Sequence, residues 1–262
     1  MTTTPILVTG GTGTLGRLLL PLLREAGRPV RVLSRNRPAE PVPGVEYVAA
    51  DLATGEGVAA TVAGAGTIVH CAGSAKGDDA KARTLIRAAE GAEHLVYISV
   101  VGADRVPVRS AADRAMFGYF GAKRAAELLV EESGIPWTTL RATQFHELTL
   151  TTIRQMAKMP VVPVPAGVRF QPVAGAEVAA RMAELALGAP AGLVPDLAGP
   201  RVYGMDELVR SYLRAAGKRR PVLRMRMAGG AYRAVCAGAN LAPGRAVGTG
   251  TWEAHLAANV RP

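Results

Sequence analysis

The chain has 262 residues, of which 49% are hydrophobic and 20% charged, and its formal net charge is +10. This composition excludes a disordered chain and a disulfide scaffold, and the absence of any apolar run of about eighteen residues predicts no membrane span. Most of the excess charge comes from scattered arginines, so we expect no nucleic-acid partner. Cys71 and Cys236 are far apart, and residues 1–5 form no signal peptide, so we expect a reduced, cytoplasmic protein.

Short runs rich in Val, Ile or Leu alternate with segments of helical spacing in the first half of the chain. The predicted strands are Ile6–Thr9, Val30–Leu33, Val45–Ala49, Thr67–His70, Leu95–Ser99 and Trp137–Leu140, and the predicted helices are Leu15–Ala26, Ala80–Glu90 and Arg124–Glu132. Continuously apolar strands that alternate with helices predict an α/β fold, a Rossmann-type doubly wound parallel sheet with helices on both faces. Pro21 lies inside the first helix and predicts a kink or an earlier boundary.

The alternation of strands and helices fades after about residue 142. Helical spacing at Glu147–Lys158, Ala176–Leu187 and Asp206–Ala216 is interrupted by a proline-rich link, Met159–Pro165. We therefore expect a Rossmann core over residues 1–145 and a smaller C-terminal substrate portion over residues 146–262. The second portion should return to the sheet in part and cap its cleft.

A glycine-rich turn follows the first predicted strand, with glycines at positions 10, 13 and 16. A phosphate can approach a helix N-terminus where side chains leave room, and the backbone N–H groups and the helix dipole then stabilise its charge. Gly10 would permit the tight turn, Gly13 the approach of a pyrophosphate, and Gly16 the close packing of helix on strand. Because a strand precedes the turn and a helix follows it, we predict a dinucleotide site rather than an empty loop. The predicted contacts are Gly10, Gly11, Thr12, Gly13, Thr14, Leu15 and Gly16.

The residues after the second predicted strand indicate which dinucleotide binds. A site for NAD favours an acid there, but this chain has Ser34-Arg35-Asn36-Arg37 and no carboxylate before Glu40. A guanidinium can pair with a 2′-phosphate through two hydrogen bonds. We predict NADP(H) as the cofactor, with Ser34, Arg35 and Arg37 as contacts; the alternative is two surface arginines in an arginine-rich chain.

Several motifs together resemble the short-chain dehydrogenase/reductase superfamily: the GxxGxxG spacing, Asp51-Leu52 after the third strand, His70–Gly73, and a later Tyr-x-x-x-Lys. Within that superfamily, the runs Leu95–Asp104 and Leu140–His146 are similar to the atypical, NmrA-like branch. The resemblance implies further cofactor contacts at the adenine (Asp51, Leu52), at its ribose (Cys71, Ala72, Gly73) and at the nicotinamide (Ala142, Thr143, Gln144, Phe145).

The Tyr-x-x-x-Lys motif consists of Tyr119 and Lys123, which a helix would place one turn apart on the same face. The resemblance implies that Lys123 lies near the nicotinamide ribose. A nearby ammonium stabilises a phenolate, so Tyr119 can exchange a proton with a substrate oxygen while hydride passes to or from the nicotinamide. Ser99 would hydrogen-bond that oxygen. The alternatives are a surface tyrosine and lysine, and a serine that caps local backbone.

Five side chains allow less specific predictions. Arg141 lies beside the implied nicotinamide loop and has either a cofactor or a structural role. His146 contacts the substrate or, by the favoured interpretation, lies at the surface or behind the residues that contact the substrate. His70, His94 and His255 are scattered and form no ligand cluster, so we expect no metal.

We expect an NADPH-dependent oxidoreductase that reduces a small carbonyl or quinone, as a monomer or homodimer. One alternative is a non-catalytic NADP(H)-binding redox sensor of the NmrA type, against which the Tyr-x-x-x-Lys motif argues. A third is a sugar-nucleotide epimerase or dehydratase, ranked last because the portion after residue 142 is short for holding a nucleotide.

Overall fold

The computed structural model describes residues 4–73 and 77–261, which form two compact units. The first unit comprises residues 1–99, 122–140 and 178–195, and the second comprises residues 100–121, 141–177 and 196–262. Each unit is therefore built from segments that are discontinuous in the chain. The expected division at residues 145 and 146 stays a prediction, and residues 1–3, which begin the segment expected to lack a signal peptide, lie outside the described residues.

The strands and helices are numbered here in chain order. The strands are β1 (Ile6–Thr9), β2 (Val30–Ser34), β3 (Val45–Ala49), β4 (Thr67–His70), β5 (His94–Val100), β6 (Trp137–Ala142), β7 (Val162–Pro165), β8 (Arg169–Phe170), β9 (Gly192–Leu193), β10 (Tyr203–Gly204) and β11 (Val222–Met225). The helices are α1 (Thr14–Glu25), α2 (Val58–Val62), α3 (Asp78–Ala88), α4 (Ala111–Glu131), α5 (His146–Met156), α6 (Gly175–Leu187), α7 (Met205–Ala215), α8 (Gly230–Cys236) and α9 (Trp252–Asn259). No helix in the described ranges is both long and apolar enough to cross a bilayer.

A parallel sheet in the order β3-β2-β1-β4-β5-β6-β9 forms the centre of the first unit, and within the described residues it has seven strands. Ile6 of β1 lies opposite Val30 of β2 and Thr67 of β4. Every residue of β1 and β4 is buried because both faces of the sheet are covered. The predicted Rossmann-type fold is thus confirmed. The strand order reverses between β1 and β4, and such a reversal opens a crevice at the carboxyl ends of the two strands.

The core of the first unit is aliphatic. Leu7, Ile68, Leu85 and Leu95 are fully buried and belong to one cluster with side chains from the helices. Each such side chain contributes roughly 1.5–3 kcal/mol relative to leaving it in water. This packing holds the carboxyl ends of the strands in fixed register.

Helix α1 runs through Pro21 to Glu25, so the earlier helix boundary predicted at Pro21 is wrong. A proline removes one backbone hydrogen bond. Here the buried side chains of Leu19, Leu20 and Leu23 hold both sides of the proline against the sheet. Burial of this apolar face outweighs the loss.

Helix α4 begins at Ala111, so its predicted start at Arg124 is wrong. Ser110 and Asp113 form a reciprocal cap: the Asp113 N–H donates to Ser110 Oγ at 3.0 Å, and the Ser110 N–H donates to Asp113 Oδ2 at 3.1 Å. Such a capping box starts a helix by satisfying its first N–H groups. One continuous helix therefore carries both Tyr119 and Lys123.

The second unit contains the strand pairs β7–β11 and β8–β10, with α5, α7 and α9 around a separate core. The link predicted at Met159–Pro165 is wrong in part, because its second half is the strand β7. The Val162 N–H donates at 2.9 Å to the carbonyl of Pro221, just before β11, and the Ala166 N–H donates at 2.8 Å to the carbonyl of Met225 in β11. Pro163 and Pro165 lie at the alternate positions, whose backbone nitrogens face away from β11, so neither proline removes a ladder hydrogen bond.

Candidate functional site

The glycine turn lies at the carboxyl end of β1 and leads directly into α1. Gly10 has a φ of +70°, and a Cβ built on it would lie 2.6 Å from the backbone nitrogen of Ala72. The Gly13 N–H donates to the Gly10 carbonyl at 2.9 Å and closes the turn. A Cβ on Gly16 would lie 2.5 Å from the Cα of Gly11 and against the Gly10 carbonyl. The backbone itself therefore fills the space at both positions: the segment after β4 lies against Gly10, and the turn lies against Gly16.

The N-terminus of α1 has the properties of an anion site. Its N-cap is Gly13, which has no side chain to cap the first-turn N–H groups. Thr14 is exposed and Leu15 is buried, so the turn is open on one side only. Uncapped N–H groups at the positive end of the helix dipole suit a diphosphate, so these residues fit a dinucleotide.

A pocket of about 640 Å³ joins the glycine turn to the end of β2. Arg35 and Arg37 line it and are exposed, and Ser34 Oγ donates to the Asn36 carbonyl at 2.7 Å. The lining residues are Gly11, Thr12, Arg17, Leu20, Ser34, Arg35, Asn36, Arg37, Pro38, Ala39, Glu40, Val42 and Tyr47. Sequence reasoning missed Arg17, whose Nε donates to the Thr12 carbonyl at 2.9 Å. No local motif marks that arginine as part of the pocket.

The segment after β3 is hydrogen-bonded to itself, whereas the segment after β4 is hydrogen-bonded to the end of β1. Asp51 Oδ1 accepts the Ala53 N–H at 2.8 Å, so this carboxylate stabilises its own turn, and Leu52 is buried. The Cys71 N–H donates to the Thr9 carbonyl at 3.1 Å, and the Ala72 N–H donates to Thr9 Oγ1 at 3.3 Å. The residues after β4 are thereby fixed beside the end of β1.

His70 and Cys71 are neutral groups beneath this turn. His70 Nδ1 and Thr9 Oγ1 are 2.6 Å apart in a buried hydrogen bond. Burial, and then the charge of Lys123, lowers the pKa of His70 to about 3. Burial raises the pKa of the Cys71 thiol to about 12. At neutral pH neither side chain carries a charge.

Lys123 is buried in an ion pair that the sequence did not predict. Its side chain is only 3% exposed, and its Nζ lies 3.1 Å from Asp78 Oδ2, a carboxylate that is itself 1% exposed. The ammonium also donates to the Ile98 carbonyl at 3.1 Å and lies 4.9 Å from the centre of the Tyr97 ring. Asp78 was missed because a carboxylate in the first turn of a helix is explained by the helix dipole alone.

The other two predicted catalytic side chains have different environments. Ser99 is 4% exposed near the carboxyl end of β5, and its Oγ has no hydrogen-bond partner among residues 4–73 and 77–261. The alternative that it caps local backbone is therefore not observed within these residues. Tyr119 lies on α4 in the second unit, is 37% exposed, and contacts Phe120 edge-on with the ring centres 6.2 Å apart.

The loop that follows β6 is held firmly within the second unit. The Thr143 N–H donates to the Leu197 carbonyl at 3.0 Å, and Gln144 Oε1 accepts the Gln171 N–H at 3.3 Å. Ala142 is buried, and Phe145 forms a bridge with Val173. Gln144 Nε2 is buried with no hydrogen-bond partner in the described part of the chain. An amide in that state is a candidate to bind a ligand.

Arg141 and His146 both have structural partners in the second unit. Arg141 is buried and pairs with Asp104 at 2.9 Å. His146 is 1% exposed, with its ring centre 5.1 Å from that of His255 and 6.0 Å from that of Trp252. Burial, and then His255, lowers the pKa of His146 to about 4. Within the described residues, no group of three or more His, Cys, Asp or Glu side chains is arranged to hold a metal ion.

Comparison with known proteins places this geometry in a family. Residues 10–186 match the NAD(P)H-binding family. A (4-alkanoyl-5-oxo-2,5-dihydrofuran-3-yl)methyl phosphate reductase from Streptomyces griseus is 30% identical over 148 residues, covering 56% of this chain and 50% of that protein. The chain spans half or less of the length of the curated relatives it matches.

Solved structures share the fold at low sequence identity. An NADPH-dependent quinone oxidoreductase from Escherichia coli, complexed with NADPH, superposes with a TM-score of 0.77 at 18% identity, covering 97% of this chain and 99% of that one. A nucleoside-diphosphate-sugar epimerase from Staphylococcus aureus superposes with a TM-score of 0.72 at 17% identity, covering 96% and 99%. The family match extends over more than half of the chain and includes the glycine turn, the β4 loop and Lys123. This chain therefore belongs to the NAD(P)H-binding family, and the predicted binding of a nicotinamide dinucleotide is confirmed at that level.

Proposed function

We propose that the protein is an NADPH-dependent oxidoreductase that reduces a small carbonyl or quinone substrate. The observation that carries this proposal is the pocket in which Arg35 and Arg37 share a lining with Gly11 and Thr12 of the glycine turn. Both arginines line this pocket, and we assign to it the adenosine ribose of a nucleotide bound at the turn. A 2′-phosphate there would gain charge-assisted hydrogen bonds that a 2′-hydroxyl cannot make.

The carboxylate nearest this position along the chain is Glu40, three residues beyond Arg37. An NAD site favours an acid directly after the second strand, which accepts from the ribose hydroxyls. Ser34 occupies the end of β2 instead, and its hydroxyl donates to the Asn36 carbonyl. The local charge therefore favours the phosphorylated nucleotide.

We assign roles in the reaction to the three side chains that the resemblance to short-chain dehydrogenases/reductases marks as catalytic. When bound, the dinucleotide supplies the hydride that the substrate accepts. Tyr119 donates the proton to the carbonyl oxygen, and the Ser99 hydroxyl hydrogen-bonds the same oxygen. Lys123 holds a ribose hydroxyl through its ammonium. Carbonyl, NADPH and one proton give alcohol and NADP⁺, and a quinone gives the hydroquinone with the same balance.

The names of two similar proteins support a reductase. The relative from Streptomyces griseus is a reductase, and the Escherichia coli structure is a quinone oxidoreductase that holds NADPH. Carbonyl and quinone substrates are distinguished by Tyr119→Phe. Carbonyl reduction should collapse without the phenolic proton, whereas quinone reduction should persist because a reduced quinone can take its proton from water.

The cofactor assignment is tested by Arg35→Asp. We expect the dissociation constant for NADPH to rise about ten- to a hundredfold, since a hydrogen bond to a charged group contributes roughly 1.5–3 kcal/mol. The constant for NADH should change far less. Both nucleotides are titrated by their fluorescence against wild type, Arg35→Asp and Arg83→Asp. The last variant makes the same charge change at an exposed position of α3 outside the pocket lining.

Equal losses for NADPH and NADH in Arg35→Asp would remove Arg35 from a phosphate site. Turnover is tested by consumption of NADPH against a panel of quinones and aldehydes. Tight binding with no consumption by any substrate would contradict the enzyme and favour a redox sensor.

A further inference from the structure

The ion pair between Asp78 and Lys123 joins two helices beneath the carboxyl edge of the sheet. Asp78 is the first residue of α3, and Lys123 lies past the middle of α4. Their charged atoms are 3.1 Å apart, and both side chains are almost completely buried. Removing an ammonium from water is unfavourable unless a counter-charge and hydrogen bonds compensate for it. Asp78 and the Ile98 carbonyl supply that compensation.

In the described part of the chain, three other ionisable side chains near the pair supply no negative charge at neutral pH. His70 on β4 is neutral because burial and Lys123 lower its pKa to about 3. The Cys71 thiol stays protonated because burial raises its pKa to about 12. Lys81, on the same helix as Asp78, adds a second positive charge that also acts on His70. Within residues 4–73 and 77–261, the carboxylate seen against the ammonium of Lys123 is that of Asp78.

The pair lies directly against the backbone that follows β4. A Cβ built on Gly73 would lie 3.3 Å from Lys123 Nζ and 3.5 Å from Asp78 Oδ2. The resemblance implied a contact with the adenine ribose for Gly73 and with the nicotinamide ribose for Lys123, and the structure brings these two residues together. The ammonium is thus held at the β4 loop, on the edge of the sheet where a dinucleotide binds in this fold.

We infer that Asp78 is a positioning residue of the cofactor site: its carboxylate keeps Lys123 protonated and fixes the ammonium beside Gly73, where it donates to a ribose hydroxyl of the dinucleotide. This inference rests on the proposed function, which gives Lys123 its ribose contact. Asp78 acts through Lys123 and need not touch the ligand itself.

The test is the affinity for NADPH as a function of pH in Asp78→Asn. Without its counter-charge, the buried ammonium gives up its proton more readily, so affinity should begin to fall at a pH at least one unit lower than in wild type. At pH 7 the dissociation constant should rise about tenfold or more, in line with the loss of a hydrogen bond to a charged group. Asp78→Glu keeps the charge and should restore the wild-type pH profile.

Asp79→Asn is the matched control because it removes the same charge from the same first turn of α3. It should leave the pH profile unchanged. If Asp78→Asn does not fold, the double variant Asp78→Asn/Lys123→Met removes both buried charges and should fold. It should bind NADPH at least about tenfold more weakly than wild type, with no alkaline loss from Lys123.

The inference is overturned if Asp78→Asn has the affinity and pH profile of Asp79→Asn, or if the double variant binds NADPH as wild type does. Failure of the proposed function looks different, because wild type itself would then bind neither NADPH nor NADH, or would bind NADPH without consuming it with any substrate.

Discussion

In the glycine turn, one substitution should lower the stability of the fold and another should lower the affinity for NADPH. In Gly16→Ala, the new methyl group would lie 2.5 Å from the Cα of Gly11 and against the Gly10 carbonyl. These are backbone atoms, which cannot rotate away as the end of a flexible side chain can. Overpacking in a well-packed region costs roughly 1–3 kcal/mol, and we expect the upper end of that range. With about 2–4 °C lost per kcal/mol in a chain of this size, Tm should fall by about 6–12 °C.

Gly13→Ala should instead change the stability little and the affinity for NADPH clearly. Its Cβ would meet only the Gly10 carbonyl, at 3.2 Å, a contact that a small shift relieves. We expect less than about 1 kcal/mol of destabilisation, within the usual range for a tolerated substitution. The affinity for NADPH should nevertheless fall clearly, because the methyl group occupies the approach of the pyrophosphate.

Thermal unfolding and NADPH titration are measured on both variants and on Gly118→Ala. Gly118 lies within α4, and a Cβ there would meet nothing within 4 Å. Alanine at this position should be neutral or stabilise by up to about 1 kcal/mol. If Gly16→Ala and Gly118→Ala unfold at the same temperature, the close approach is not real. If Gly13→Ala binds NADPH as tightly as wild type, the pyrophosphate does not pass over Gly13.

Two further predictions concern stability in the second unit. His146 has a folded pKa of about 4, below its unfolded value of about 6.5, so its contribution is complete above pH 6.5 and is lost as the pH falls towards 4. His146 alone should lower the free energy of unfolding by roughly 2 kcal/mol at pH 5 relative to pH 7, and the buried His70, with a pKa of about 3, adds to that loss; equal urea midpoints at the two pH values would contradict this. Tyr203 donates to Glu253 Oε2 at 2.8 Å, and burial, followed by Glu253, raises the pKa of this tyrosine to about 12. Tyr203→Phe should cost about 1 kcal/mol in urea unfolding, and an unchanged midpoint would show that the hydrogen bond contributes nothing net.

The sheet and the glycine turn could be predicted because their determinants are local. Each buried parallel strand is a short apolar run, and the turn after β1 needs glycine for reasons that three or four residues define. The starts and ends of α1 and α3 agree with the predicted helices to within two residues. The arginines after β2 were also predictable, since position along the chain decides which residues follow that strand.

Other features depend on contacts between distant residues or on weaker local patterns. The first turns of α4 contain glycines and charged residues without apolar periodicity, so only the Ser110-x-x-Asp113 cap marks the true start of the helix. The pairing of Asp78 with Lys123 spans 45 residues and appears only when α3 and α4 fold against the sheet. The sequence did not predict strand β7 because the strand contains two prolines. A proline removes a hydrogen bond from a sheet only where its nitrogen faces the neighbouring strand, and the sequence alone does not show which edge of β7 that is.

Those prolines also determine what the β7–β11 ribbon can do beyond its own molecule. On the edge of β7 that faces away from β11, positions 163 and 165 offer carbonyl oxygens but no N–H donors. A strand from another molecule could not complete a hydrogen-bonded ladder there. β11 carries the exposed side chain of Arg224, whose positive charge repels a second copy of this cationic strand. Two short strands that would otherwise be templates for aggregation are thus protected, one by proline and the other by charge.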